Sequence, residues 1–196
     1  FMACVPSALP PQLDLSWRLV AKNSAADRAV SRLAGYADRL PNPHLLIQPF
    51  MRREAVLSSR IEGTHASLPD LFWFEARPAA QGKDSRDVKE VSNYVEALEY
   101  GLKRIEELPM SLRLIREMHR ILLAGVRGQN SQPGRFRQSQ NWIGSPHLED
   151  ATYVPPPVNH LNDCLDDFEK FLHTETTNSR QFILSATEMV AWVDSC

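Results

Sequence analysis

The chain has 196 residues, of which 43% are hydrophobic and 23% are charged. This composition is typical of a globular protein and excludes a disordered, collagen-like or coiled-coil chain. The 22 basic and 24 acidic residues give a net charge of −2. Bulk electrostatic binding to a nucleic acid or to an anionic membrane is therefore excluded.

The three cysteines, Cys4, Cys164 and Cys196, are an odd number without CxxC spacing. This pattern argues against both a disulfide framework and a zinc site. No apolar run approaches the roughly 20 residues that a membrane span needs, and the first residues lack the basic region of a signal peptide. The sequence therefore predicts a cytoplasmic protein without a membrane partner.

Apolar residues recur at every third or fourth position along most of the chain, a spacing that predicts α-helices. Asn23 or Ser24 is expected to cap a first helix, which ends at Pro41. Its apolar positions are Val30, Leu33, Tyr36 and Leu40. A second helix is expected to end at Gly63. Its broad apolar stripe consists of Leu45, Leu46, Phe50, Ala55, Val56 and Ile61.

Two further helices are expected in the middle of the chain. Ser67, followed by Pro69 in the first turn, marks the start of a short and very apolar helix. Residues 77–84 are rich in small residues and predict a loop. The stretch Val88–Ile105 then has the clearest amphipathic pattern of the sequence.

The last third of the chain combines two helices with a short β-type region. Ser111 is expected to cap a helix that ends at Gly125. The runs 141–143 and 152–154 are rich in β-branched and aromatic residues, and they predict a small hairpin. The stretch Val158–His173 predicts one more amphipathic helix.

Ser58 and Glu62 are four residues apart, so they share one face of the second helix. Glu62 lies in the last turn of that helix, where the helix dipole disfavours an anion by roughly a few tenths of a kcal/mol. Residue types alone leave two interpretations open. Either the carboxylate is tolerated because solvent surrounds it, or it pairs with an arginine.

Common catalytic and nucleotide-binding signatures are absent, including GxxxxGK[ST], GxGxxG, HExxH and GxSxG. His119 either faces a site or is a partly exposed helical histidine. The acidic residues in 166–169 favour a solvated helix face over a metal site. Arg127, Arg135 and Arg137 either contact phosphate or are solvated around a turn.

Short runs distributed along the chain carry a resemblance to a known family. They are Pro41–Phe50, Arg52–Ala55, Ser58–Gly63, Asp87–Val91, Asn93–Tyr94, Leu114–His119, Pro133–Arg137, Gln140–Gly144 and Tyr153–Pro157. These runs closely resemble those of Fic-family proteins, the enzymes that transfer AMP from ATP to protein hydroxyls. The resemblance covers about residues 8 to 173.

In the Fic family, the motif [S/T]xxxE[G/N] belongs to an inhibitory helix, and Ser58, Glu62 and Gly63 match it here. The family's glutamate pairs with an arginine of the active-site loop and keeps the γ-phosphate of ATP from seating productively. The resemblance therefore implies an autoinhibitory, phosphate-gating role for these three residues. It also implies ATP and Mg²⁺ as the cofactors of the family.

The family's catalytic motif, HPFxDGNGRxxR, is absent from the chain. Its histidine is the general base, its acidic residue holds Mg²⁺, and its Gly-rich turn cradles phosphates. When residues 178–196 are back-translated and regrouped by one base, permitted codons give FETIHPFSDGNGRVGRFL. Met189 and Trp192 have single codons that force two of these glycines. The tail from about Thr174 is therefore interpreted as an out-of-frame translation, the alternative being coincidence among degenerate codons.

The expected fold is an all-α, Fic-like helical bundle with one small β-hairpin. We expect an N-terminal helical region over residues 1–108, a partial Fic core over 109–173, and a poorly ordered out-of-frame tail over 174–196. In the resemblance the hairpin is a flap that docks the backbone of a target protein as an added strand. The flap residues are Asn141, Trp142, Ile143, Gly144, Tyr153 and Val154. The alternative is a hairpin that only caps the core.

The resemblance implies a protein adenylyltransferase that Glu62 holds in check. No catalytic residue of that family is present, so the chain as given is expected to be inactive. The alternative is a non-enzymatic regulatory or interaction module that uses the inhibitory helix and the flap. The expected partner is a protein substrate, nucleic-acid binding is not supported, and a homo-oligomer is left open.

Overall fold

A computed structural model of the chain describes residues 2–7, 9, 16–42, 44–77 and 85–173. The described part contains helices and no β-strand, which confirms the all-α prediction. The helices are α1 (Trp17–Ala37), α2 (His44–Ile61), α3 (Leu68–Ala76), α4 (Ser85–Arg104), α5 (Leu112–Leu122) and α6 (Val158–Leu172), with a 3₁₀ turn at Leu148–Asp150. The predicted tail from Thr174 and most of the predicted loop 77–84 lie outside the described residues.

The described residues divide into two compact units. One lies within residues 36–136, and the other consists of the described residues before 36 and after 136. The unit 36–136 is built around α4, which packs against α2, α3 and α5. Its core consists of Ala55, Val56, Ala66, Leu71, Val88, Val91 and Val95. Small and β-branched side chains let the helices approach closely, and each fully buried valine or leucine stabilises the fold by about 1.5–3 kcal/mol.

Helices α3 and α5 begin where the sequence predicts. The Ser67 hydroxyl accepts a hydrogen bond from the Asp70 N–H at 3.3 Å, and the Asp70 carboxylate accepts one from the Ser67 N–H at 3.0 Å. This reciprocal capping box lowers the pKa of Asp70, chiefly through the side-chain hydrogen bond with Ser67. Ser111 caps α5 by accepting from the Leu114 N–H at 3.4 Å.

Helix α1 begins earlier than the sequence analysis expected. It starts at Trp17, after a cap in which the Ser16 hydroxyl accepts from the Leu19 N–H at 3.3 Å. The predicted cap at Asn23 is wrong because good helix formers precede it, and Asn23 lies buried inside the helix. The predicted apolar positions Val30, Leu33 and Tyr36 are exposed by 63%, 69% and 65%.

Helix α2 also buries a different face from the one its apolar stripe predicts. Leu45, Phe50 and Ile61 are exposed, whereas Ala55 and Val56 are buried as expected. Apolar residues lie on several sides of this helix, so their spacing along the sequence does not predict which side packs against the protein. The side that packs carries the small residues, because these allow α4 to approach closely.

The predicted β-hairpin forms only one bridge between its two runs. The two runs meet at an isolated antiparallel bridge between Ile143 and Tyr153, and no strand forms in the described residues. Pro155 follows the second run directly, and a proline has no N–H with which to extend a ladder. The same unit holds α6, whose apolar face is buried at the predicted positions Leu161, Leu165 and Phe168.

None of the described helices combines the length and the apolarity that a membrane crossing requires.

Candidate functional site

Helix α2 ends in a Schellman turn, and the residues of the [S/T]xxxE[G/N] motif form it. The N–H of Gly63 donates to the Arg60 carbonyl at 3.0 Å, and the N–H of Thr64 donates to the Ser59 carbonyl at 3.1 Å. Gly63 has a φ of +85°, which only glycine and, less readily, asparagine adopt at low cost. The backbone conformation at the helix end therefore explains why the last motif position requires glycine or asparagine.

Glu62 is the residue immediately before Gly63, and its side chain is exposed at the end of α2. Within the described part of the chain, its carboxylate has no hydrogen-bond or ion-pair partner. Ser58 and Glu62 line the same cavity, as their i, i+4 spacing predicts. The Ser58 hydroxyl donates one turn back, to the Glu54 carboxylate at 2.7 Å, and so does not bind Glu62.

The cavity beside Glu62 has a volume of about 380 Å³ and lies within the unit 36–136. The end of α2 forms one wall with Ser58 and Glu62. Tyr94 of α4 and the apolar residues at the end of α5 form another, and Arg127 lies at the side of the following turn. The size falls in the range of small-molecule sites.

Arg127 is the cation of this cavity, and it is held by acidic residues of α4. Its guanidinium binds Glu90 in a bidentate pair, with Nε to Oε1 at 2.7 Å and Nη2 to Oε2 at 2.6 Å. Asp87 Oδ1 lies 4.0 Å from Nη2. The hydrogen bonds with Glu90 raise the pKa of Arg127 above its usual value. Arg127 is therefore paired with an acidic residue of α4, Glu90, and it does not bind Glu62.

The other arginines of the predicted phosphate-binding group differ in their surroundings. Arg137 donates to the backbone carbonyls of Pro156 and Ser139. Arg135 is exposed. Arg137 therefore helps to hold the segment that follows the flap.

His119 has a structural contact that the sequence did not indicate. Its Nδ1 accepts a hydrogen bond from the Gly134 N–H at 2.8 Å, while Arg116 Nε donates to the Gly134 carbonyl at 2.9 Å. Burial lowers the pKa of His119, which favours the neutral ring that this acceptor role requires. Of the two interpretations left open, the partly exposed helical histidine describes its position in α5. His119 anchors the Pro133–Gly134 turn.

Sequence reasoning missed the structural role of Asn93. This side chain is 1% exposed, and its Nδ2 donates to the carbonyls of Leu122 at 3.0 Å and Ala124 at 2.9 Å. These carbonyls lack helical partners because α5 ends there. An asparagine inside an apolar helix face is the one local signal that would have indicated such a contact.

The flap residues surround the bridge between Ile143 and Tyr153. The N–H of Ile143 donates to the Tyr153 carbonyl at 2.9 Å, and the N–H of Tyr153 donates back at 3.2 Å. A Cβ on Gly144 would lie 2.1 Å from Thr152 Oγ1, so no larger residue fits there. The Val154 carbonyl accepts from the Cys4 N–H at 2.8 Å. Trp142 and Ile143 are exposed, whereas Val154 is buried.

The described residues do not provide a site that suits Mg²⁺. No group of three or more His, Cys, Asp or Glu side chains in the described ranges could hold a metal ion. Asp167, in the acidic run 166–169, pairs with Lys170 at 3.2 Å. The donor set of a metal-dependent phosphate site is thus not assembled from these residues.

Comparison with known families gives a match, and it covers the region that contains the end of α2. Residues 20–103 match the family model described as Fic/DOC family N-terminal. The match includes α2 with Ser58, Glu62 and Gly63, and most of α4. Residues 20–103 therefore form a region of the Fic/DOC N-terminal type. No curated protein matches the chain.

Proposed function

We propose that this chain is the inhibitory and target-docking part of a Fic-type protein adenylyltransferase, and that the chain itself does not transfer AMP. The observation that carries the proposal is the position of Glu62. It lies on a Schellman turn that fits the inhibitory motif, beside a cavity, and inside the residues that match the Fic/DOC N-terminal model. Its carboxylate has no partner among the described residues, as expected of a group that awaits an arginine.

The absence of the catalytic motif supports inactivity of the chain. Without HPFxDGNGRxxR there is no general base for the target hydroxyl and no backbone cradle for the phosphates. Loss of a general base alone typically lowers a rate by roughly 10²- to 10⁴-fold. The proposal therefore assigns the chain a regulatory framework and no residue for the chemical step.

Target docking by the flap is part of the same proposal. An extended peptide can add to an exposed backbone edge through main-chain hydrogen bonds. The Val154 carbonyl already binds Cys4, and the Asn141 carbonyl accepts from the Gln140 side chain at 3.0 Å, so the segment from Trp142 to Gly144 is the edge that a target would use. Trp142 and Ile143 are exposed there and would contact the target's side chains.

The proposed location is the cytoplasm, and the free thiols of Cys4 and Cys164 support it.

Incubation with labelled ATP and Mg²⁺ tests the proposed inactivity. The purified chain, alone or with cell lysate, is expected to label no protein above a no-protein control. Labelling well above that control would contradict the proposal. Sequencing the gene across codons 170–196 tests the shifted frame independently, because the DNA must then encode the motif one base out of register.

A further inference from the structure

The turn that carries Glu62 is anchored on both of its sides. The Schellman hydrogen bonds fix it to the end of α2. On the other side, Thr64 and Ala66 are each 3% exposed, and Ala66 belongs to the core cluster. The chain is therefore packed into the protein directly after Gly63. Because only Gly63 separates Thr64 from Glu62, a shift of this packed segment would also move Glu62.

Asp87 binds the backbone of His65, the residue between Thr64 and Ala66. Its Oδ2 accepts a hydrogen bond from the backbone N–H of His65 at 2.8 Å, although 22 residues separate the two in sequence. Asp87 lies in the first turn of α4, where the helix dipole favours a carboxylate. A charge-assisted bond of this kind is stronger than a neutral one, so it fixes the segment after Gly63 to α4.

Arg127 and Glu90 extend this contact to the turn after α5. Arg127 lies 4.0 Å from the second oxygen of Asp87 and binds Glu90 in a bidentate pair. Glu90 and Arg127 also line the cavity that Glu62 lines. Three charged residues therefore connect the backbone next to Glu62 with the opposite wall of its cavity.

We propose that Asp87 is a positioning residue for Glu62. Through the His65 N–H, Asp87 fixes the turn at Gly63, and with Arg127 it sets where the Glu62 carboxylate stands at the cavity. The proposal rests on the inhibitory function proposed above for Glu62, and it adds that inhibition depends on a residue outside the motif. Weakening this contact should loosen the turn and weaken inhibition without loss of the fold.

Amide hydrogen exchange of the full chain tests the contact directly. In Asp87→Ala, the His65 amide is expected to exchange about tenfold faster or more, the factor expected for one lost hydrogen bond to a charged group. The amides of Val91 and Val95 in the core should keep their rates. The conservative variant Asp87→Asn retains a neutral oxygen acceptor and should restore part of the protection. Glu96→Ala, an exposed acid on the same helix, is the matched control.

AMP transfer by the frame-restored protein tests the consequence. Asp87→Ala should raise transfer above the parent and not above Glu62→Gly. Asp87→Asn should fall between the parent and Asp87→Ala, and Glu96→Ala should stay close to the parent. Because Asp87 acts through Glu62, the double variant should be no more active than Glu62→Gly alone. A merely structural role would not produce this dependence on Glu62.

The two arms separate the failure of this inference from the failure of the proposed function. Unchanged exchange at His65 in Asp87→Ala would overturn the positioning role, whatever the activity results. So would a parent-like activity of Asp87→Ala in a protein that Glu62→Gly activates, or a further increase in the double variant. If Glu62→Gly itself activates nothing, the proposed inhibition fails, and the positioning role in inhibition fails with it.

Discussion

At the residue scale, the position of Glu62 depends on its neighbours more than on its own contacts. Ser59, Arg60, Gly63 and Thr64 supply the hydrogen bonds that end the helix, while the Glu62 carboxylate has no partner in the described part of the chain. A side chain of this kind adds little to stability.

Glu62→Gly tests this independence in the chain as given. The substitution removes an unfavourable contact between a carboxylate and the helix C-terminus, and glycine's low helix propensity partly offsets the gain. We expect the free energy of unfolding to change by less than about 1 kcal/mol. Chemical denaturation measures it. A loss of several kcal/mol would show that Glu62 has a structural partner.

His119 provides a pH-dependent test at the same scale. Its pKa is lowered below the ordinary 6.5, so the folded state binds this proton less readily than the unfolded state does. The stability that His119 contributes is therefore complete above about pH 6.5 and is lost as the pH falls below that value. His119→Gln should flatten the decline in melting temperature between pH 7 and pH 5.

The exposed His160 supplies the control for this experiment. His160→Gln should reproduce the pH profile of the parent, because it removes a histidine and leaves the hydrogen bond between His119 and Gly134 in place. Parallel profiles for the parent and His119→Gln would contradict the assigned hydrogen bond with Gly134.

At the element scale, the end of α2 depends on one backbone conformation. Gly63 has a positive φ, and a Cβ at this position would meet no atom within 4 Å. The effect of a substitution is therefore a backbone effect, free of steric contacts with other residues. This makes Gly63 a clean probe of the Schellman turn.

Gly63→Ala should destabilise the chain by about 1–2 kcal/mol, the cost of a left-handed alanine. Gly63→Asn should cost less, because asparagine tolerates this conformation. Gly35→Ala is the matched control, since Gly35 lies inside α1, has no positive φ, and has equal space around it. The control should stabilise by about 0.5–1 kcal/mol. A Gly63→Ala protein as stable as the parent would show that the turn is not formed.

The sequence predicts the helices best where a local signal marks them. Ser67 and Ser111 cap α3 and α5 as expected, because a cap and its partner are only three residues apart. Asn23 misled the prediction because good helix formers before it continue the helix from Trp17. The hairpin was predicted from two β-type runs, but Pro155 limits their pairing to one bridge.

At the scale of the whole molecule, the contacts that build the site join distant parts of the sequence. Asp87 and His65 are 22 residues apart, and Arg127 and Glu90 are 37 apart. No periodicity or spacing encodes such pairs. The sequence therefore singles out Ser58, Glu62 and Gly63 as candidates but does not predict the contacts of Asp87 and Arg127 beside them. The predicted buried faces of α1 and α2 were wrong for a similar reason. The spacing of apolar residues identifies an apolar face, but it does not indicate which element packs against that face.

The central claim, that Glu62 inhibits AMP transfer, is tested most directly by one comparison. The frame-restored protein and its Glu62→Gly variant are incubated with labelled ATP and Mg²⁺, and transfer to protein is measured. The account predicts weak transfer by the parent and strong transfer by Glu62→Gly, because the γ-phosphate can then seat productively. A Glu62→Gly protein no more active than its parent would contradict the claim and leave the turn at Gly63 as an ordinary helix end.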